Sequence, residues 1–236
     1  MRSPRYRGRR KEPETPPARS RGILSDIRLF LLHRPAVSTL VSLTSEESRE
    51  NYSERIRQRL EISVAEYAIL NIHKIGIEAP VGYVFEELQR WDGESTCWPN
   101  HLAAAERVDG SLEHVRILLF GLGLVPLFDL KAIKIQDVPE PSDGDNARYL
   151  LFESSGGYPI GVFAMYVRSR IAELGEVETS QMFMAVGFNF YGRTDWTHTH
   201  VINRIWEQIH NRATANIMNR FKRLCEWRFQ RVQAGS

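Results

Sequence analysis

Three groups of side chains in this 236-residue chain are of a kind that could do chemistry, and each also has a plainer use. His73 lies in the run 66–79, where Asn71, His73, Ile75 and Ile77 alternate with Leu70, Ile72, Lys74 and Gly76 in the period-2 pattern of a strand. If its face is the concave one, the imidazole could orient the polar head of a ligand or act as a general base. The plainer reading is a buried histidine whose nitrogens are satisfied by neighbours. His198 and His200 stand two residues apart at the start of a helix, where such side chains point in different directions. No Cys or acidic cluster stands at ligand spacing beside them, so neither a metal site nor a cofactor is expected. The third group is apolar: Phe163, Met165 and Val167 alternate along one run, and Met182, Met184, Val186, Phe188 and Phe190 along another. Thioethers repack easily around a guest, but periodicity alone favours a filled core.

The signatures of the common catalytic classes are missing: no G-x-S-x-G, phosphate loop, H-E-x-x-H or C-x-x-C occurs. Gly121 and Gly123 bracket one residue without the third glycine of a dinucleotide fingerprint. Arg168 and Arg170 alternate with Val167 and Ser169, as charges do on the solvated face of a sheet wet on one side. An inward arginine clamping a carboxylate is the minority reading.

The elements that must position these residues begin with a long C-terminal helix. Residues 197–231 contain no Gly or Pro, and Ile202, Ile205, Trp206, Ile209, Ala213, Ile217, Phe221 and Leu224 recur at spacings of three and four. That apolar seam must dock on something. Upstream, Pro80 ends the first strand, Val81, Val84, Phe85 and Leu88 form a helical stripe, and a second short helix is read over 99–105. Five strand-like runs follow, at 114–120, 128–136, 148–154, 160–172 and 180–191, with a further short one if 122–126 stands apart. Short connections between consecutive strands predict an antiparallel meander. The fold class is therefore α+β: a curved antiparallel sheet of six to seven strands wrapped on a long terminal helix, with two short helices after strand 1.

Residues 1–22 carry eight Lys and Arg against Glu12 and Glu14, a charge of +6, so a chain of net charge +2 leaves a remainder of −4. The folded part is not a nucleic-acid-binding body by charge. The tail has the composition of disordered chain. Residues 23–65 read as a helical extension, interrupted by Pro35, with Thr44 and Glu47 as a capping box for the helix that runs to Leu60. No apolar run approaches the ~20 residues of a bilayer span, so membrane contact through residues 1–43 would be peripheral at most. Cys97 and Cys225 form no disulfide framework and read as free thiols of a reducing, cytoplasmic setting.

The stretch Ile77-Glu78-Ala79-Pro80-Val81-Gly82-Tyr83-Val84-Phe85-Glu86-Glu87-Leu88 resembles the strand-to-helix signature of the START-like, or SRPBCC, superfamily: an Ile, an Ala-Pro pair, then Val-Phe four and five residues after the proline. Trp98-Pro99 also falls where members often carry a Trp-Pro. The resemblance covers about residues 67–227, leaves residues 1–65 without a counterpart in a minimal member, and implies a ligand-binding domain over 66–232. It implies a helix-grip fold with a hydrophobic cavity between concave sheet and terminal helix. In such a cavity His73, Ile75, Phe85, Phe163, Met165, Met182, Met184 and Phe188 would line the sheet side, and Ile205, Ile209, Ala213 and Ile217 the helix side. The partner it implies is a hydrophobic small molecule or lipid, bound or carried without chemistry. Two alternatives stand beside this: a cyclase, aromatase or hydrolase using His73 with an inward acid or arginine, and an interaction module in which the basic tail and residues 23–60 do the binding. The terminal helix is longer than a minimal member needs, so its end beyond Leu224 is expected to pack on the extension.

Overall fold

The computed structural model describes residues 24–25, 28–43, 45–61, 63–65, 67, 69–90, 103–107, 114–119, 128–139, 146–154, 160–170, 179–188 and 200–235. The basic tail, Cys97, His198, Phe190 and the run 122–126 lie outside them.

Strand β1 is Ile69–Ile77, and the meander continues with β2 (Ala103–Arg107), β3 (His114–Leu119), β4 (Phe128–Pro139), β5 (Asn146–Ser154), β6 (Ile160–Arg170) and β7 (Thr179–Phe188). They form one sheet in the order β1-β7-β6-β5-β4-β3-β2, with antiparallel pairing throughout, so β1 is an edge strand. Besides the short π-helical turn Arg28–Leu32, three α-helices accompany it among the described residues: α1 (Glu46–Leu60), α2 (Val81–Leu88) and α3 (His200–Gly235). Residues 103–105, read from the sequence as the end of a second short helix, belong instead to β2, which pairs with β3 from Ala103↔Leu119 to Arg107↔Val115. A three-alanine stretch has no period of its own, and sheet pairing decides its conformation.

Alternation along β1 and β7 divides the sheet into two faces. Register pairs His73 with Met184 and Ile75 with Met182, and then Met165 with Met184 and Val167 with Met182 across β6. The apolar members of this set join Ile77, Leu150, the α2 stripe Val81, Val84, Phe85 and Leu88, and Met218, Phe221, Leu224 and Cys225 of α3 in one buried core. The sheet therefore grips the C-terminal half of α3, as the seam of that helix required.

The outer face is also covered, contrary to the expectation of a sheet wet on one side. Val64, Leu70, Ile72, Ala147, Tyr149, Val162, Ala164, Tyr166 and Ala185 are buried there beneath Val41, Leu43, Tyr52 and Ile56 of the N-terminal extension. Arg168 thus sits at the border of a covered face rather than on an open one. Helix α1 starts from a capping box one residue later than the sequence suggested: Ser45 Oγ accepts from the Ser48 amide at 3.1 Å and Ser48 Oγ accepts from the Ser45 amide at 3.2 Å. The Ser48 hydroxyl does what a Glu at that position would do.

Between the two faces the extension runs around the edge strand. On the inner side Asn216 Nδ2 donates to His33 O at 2.9 Å, and Asn219 both donates to Val37 O at 2.9 Å and accepts from Val37 N at 3.0 Å. Then Lys74 N donates to Thr39 O and Val41 N to Ile72 O, both at 2.8 Å, so the strap occupies edge groups of β1 that would otherwise face water. Among the described residues the hydrogen bonds of the extension to α3 fall at residues 212–219, whereas the sequence suggested contact beyond Leu224. The far end of α3 packs on α2 instead: Phe229 lies 5.0 Å from the Tyr83 ring, and Arg228 Nη1 donates to Glu87 Oε2 at 2.7 Å.

Candidate functional site

Of the residues that sequence reasoning assigned to a pocket, the structure draws together those at the closed end of the grip. Ile75, Phe85, Met165, Met182 and Met184 are buried in the inner core, with Phe163 and Ile217 packed against its margin. Met165 and Met182 have no exposed surface. Ala213 is half-buried on the next turn of α3, and only the backbone of Phe188, paired with Ile69 and Ile160, is described. Ile209 and Ile205 continue the same seam toward the N-terminus of α3, yet they are 41% and 55% exposed. Among the described side chains, the seam is therefore packed from Ile217 onward and exposed at Ile205 and Ile209.

His73 sits where the open and closed halves meet. Its side chain is fully buried, and each ring nitrogen has a protein partner. Nδ1 lies 2.9 Å from Thr39 Oγ1 in the strap, and Nε2 lies 3.1 Å from Asn211 Oδ1 on α3. The Asn211 oxygen can only accept, so Nε2 carries the proton and Nδ1 accepts from the Thr39 hydroxyl. Burial pushes the His73 pKa down to about 4, against a smaller opposing effect of the Asn211 hydrogen bond. His210, the residue before Asn211, is likewise lowered to about 4, first by burial and then by the nearby His73. The imidazole of His73 is thus a neutral tie between strap, edge strand and terminal helix.

A second fixed point closes the opposite end of the grip. Lys222 Nζ donates to Gly76 O at 2.7 Å and to Glu226 Oε1 at 2.5 Å, and that same carboxylate oxygen accepts from Glu78 N at 2.7 Å. Glu87 is 1% exposed, with Arg228 on one oxygen and Arg90 Nη1 3.1 Å from the other. Sequence reasoning missed Thr39, Asn211 and the Glu87–Arg228 pair, because each joins segments more than 30 positions apart and none carries a local motif.

Among the described residues no group of three or more His, Cys, Asp or Glu converges as metal ligands would, and no helix is long and apolar enough to cross a membrane. No protein-family model and no curated protein matches the sequence. Several solved structures resemble the chain over part of its length. One is the Zhui aromatase/cyclase of Streptomyces sp. R1128, at 16% identity and TM-score 0.41 over 71% of this chain and 98% of that one. Another is a protein of Thermus thermophilus, at 10% identity and TM-score 0.42 over 71% and 99%. A truncated norcoclaurine synthase from Thalictrum flavum stands at 7% identity and TM-score 0.38 over 66% and 96%. The likeness is of fold alone and bears on neither substrate nor activity.

Proposed function

We propose that the chain holds a hydrophobic small molecule or lipid between the inner sheet face and the first turns of α3, without transforming it. The observation that carries this reading is the split seam. Phe221 and Met218 have no exposed surface, while Ile209 and Ile205 present their side chains to solvent on the same helix. Covering them with an apolar guest would gain roughly 25 cal/mol for each Å² removed from water. The buried Met165, Met182 and Met184 form the floor against which such a guest would stop, and His73 holds the strap and helix that frame it.

A cyclase- or hydrolase-type reading is less well supported, because its best residue is committed elsewhere. A general base must reach the proton it takes, and both His73 nitrogens are bonded to Thr39 and Asn211.

Native mass spectrometry of the purified chain is expected to show a non-covalent apolar adduct that organic extraction removes. A dansyl-labelled fatty acid should bind the extracted protein, and Ile205→Glu with Ile209→Glu should weaken that binding at least tenfold. Both positions are solvent-exposed, so the fold should be undisturbed. If no adduct is seen and the probe binds both proteins equally or not at all, the reading is wrong.

A further inference from the structure

The outer face carries a cleft of about 180 Å³ between α1 and the sheet, on the side away from α3. Its floor follows from the register. Across β6 and β7, Arg168 stands opposite Gln181, Tyr166 opposite Phe183, and Ala164 opposite Ala185. Two alanines facing each other leave a hollow that larger side chains would fill, and Ile72 of β1, opposite Ala185, bounds it. Tyr166 and Phe183 form one aromatic side, with ring centroids 5.8 Å apart. Tyr52 and Ile56, one helical turn apart on α1, close the other.

The rim differs in character from this apolar floor. Arg55 and Arg59 of α1, Lys74 of β1 and Arg168 of β6 all line the cleft, and among its described lining residues there is no carboxylate. Some of this charge already rests on rings: the Arg59 guanidinium is 5.4 Å from the Tyr166 centroid and that of Arg168 is 5.7 Å from Phe183. Arg168 Nη2 also reaches Gln181 Oε1 at 3.4 Å. Arg55 and Lys74 are exposed where they line the cleft, so an anion there can meet their charges. Apolar cavities of about 150 Å³ accept a benzene ring, so the volume suits one substituted ring.

We propose that this cleft binds a small aromatic carboxylate, its ring on Ala164 and Ala185 between the aromatic walls and its carboxylate met by Arg55 and Lys74. The site is separate from the space between sheet and α3 and does not depend on what fills it. Charge selects an anion, the alanine floor selects a flat ring, and the size excludes a lipid chain folded on itself.

Titration calorimetry of the full chain with benzoate, benzamide and acetate tests it. Benzoate should bind at least tenfold more tightly than either of the others, and more weakly as salt is raised. Lys74→Gln with Arg55→Gln, both at exposed positions, should weaken benzoate at least tenfold, and Ala185→Leu should abolish binding by filling the floor. Arg223→Gln, an exposed cation on α3, should change nothing. Equal affinity for benzamide removes the ionic half of the proposal, and equal affinity for acetate removes the aromatic half. Undiminished benzoate binding to folded Ala185→Leu places the ligand elsewhere; each of these three results overturns the assignment.

Discussion

The inner face of the sheet meets α2 and α3 through large side chains without solvent exposure, Met165, Met182, Leu150 and Phe221 among them. The outer face meets α1 through smaller ones, with Ala147, Ala164 and Ala185 beneath the half-buried Tyr52 and Ile56, and it keeps a cation-rimmed cleft. Both faces bury apolar surface, but the inner one does so by interdigitation and the outer one by a strap and a single helix laid over a shallow floor. The contrast shows where substitution is costly and where the molecule has room. Thr39 and Val41 supply the strap on the edge strand, and Tyr52 and Ile56 of α1 part of the outer cover.

Removal of residues 1–60 should have the largest effect. It uncovers Leu70, Ile72, Tyr149, Val162 and Tyr166 together and leaves the β1 edge without its strap. Burying one such side chain contributes about 1.5–3 kcal/mol, and five together reach the ~5–15 kcal/mol by which a whole domain is stable. Residues 61–236 alone should show no cooperative thermal transition. A cooperative transition near that of the full chain would show that the outer face needs no cover.

Next comes a matched pair of core substitutions. Met182→Ala opens a void among side chains that cannot collapse into it and should cost about 2–5 kcal/mol in urea unfolding. Ala185→Val, three residues along the same strand but facing the cleft, should change stability by less than about 1 kcal/mol, because the added methyls enter free space. The outer face is not forgiving everywhere. A Cβ on Gly187 would come within 2.5 Å of the Tyr67 ring, so that glycine is required by close approach. Equal losses at residues 182 and 185 would erase the distinction between the two faces.

Much of this arrangement was readable from periodicity. The alternation Asn71, His73, Ile75, Ile77 put the right residues on the inner face, Pro80 marked the turn into α2, and the seam of α3 found its sheet. These features are local, and local patterns carry their own signal. The outer cleft had no such signal, because it depends on Ala164 falling opposite Ala185, and register is a property of pairing rather than of either strand. The course of the extension was hidden for a similar reason. Thr39, Asn216 and Asn219 are ordinary polar residues until the chain passes the edge strand, where their hydrogen bonds decide the path. Arg168 misled for the opposite reason: its alternation was right, but alternation cannot say whether another segment covers the face it points to.

The junction between the two faces gives a pH prediction of intermediate size. His73 titrates near 4 in the folded chain and near 6.5 when unfolded. Between those values the unfolded chain holds the extra proton, so stability is complete above about pH 6.5, falls as the pH drops toward 4, and falls no further from this group below it. A separation of that size corresponds to on the order of 3 kcal/mol. His210 adds a loss of the same sign in the same window. Urea unfolding of the native chain between pH 7 and 4 should show this decline, and His73→Gln should flatten it; an unchanged slope in the variant would mean that His73 is not the group responsible.

Thr39→Val should cost less than the titration of His73 and sharpens the junction most. The substitution keeps the side-chain volume close but removes the hydroxyl that donates to Nδ1, leaving a buried acceptor without that donor, at a cost of about 1–3 kcal/mol. The hydroxyl bonds to the neutral ring, so its loss also weakens the preference for the neutral form and should move the His73 pKa upward from about 4. Two-dimensional NMR of the ring protons separates this from simple loosening of the strap. A tie acting through hydrogen bonding predicts an upward shift with the Leu40–His73 bridge still protected from amide exchange. If the strap works by steric cover alone, the pKa stays where it is while Val41 and Lys74 amides exchange faster, and the assignment of His73 as the tie between the two faces fails.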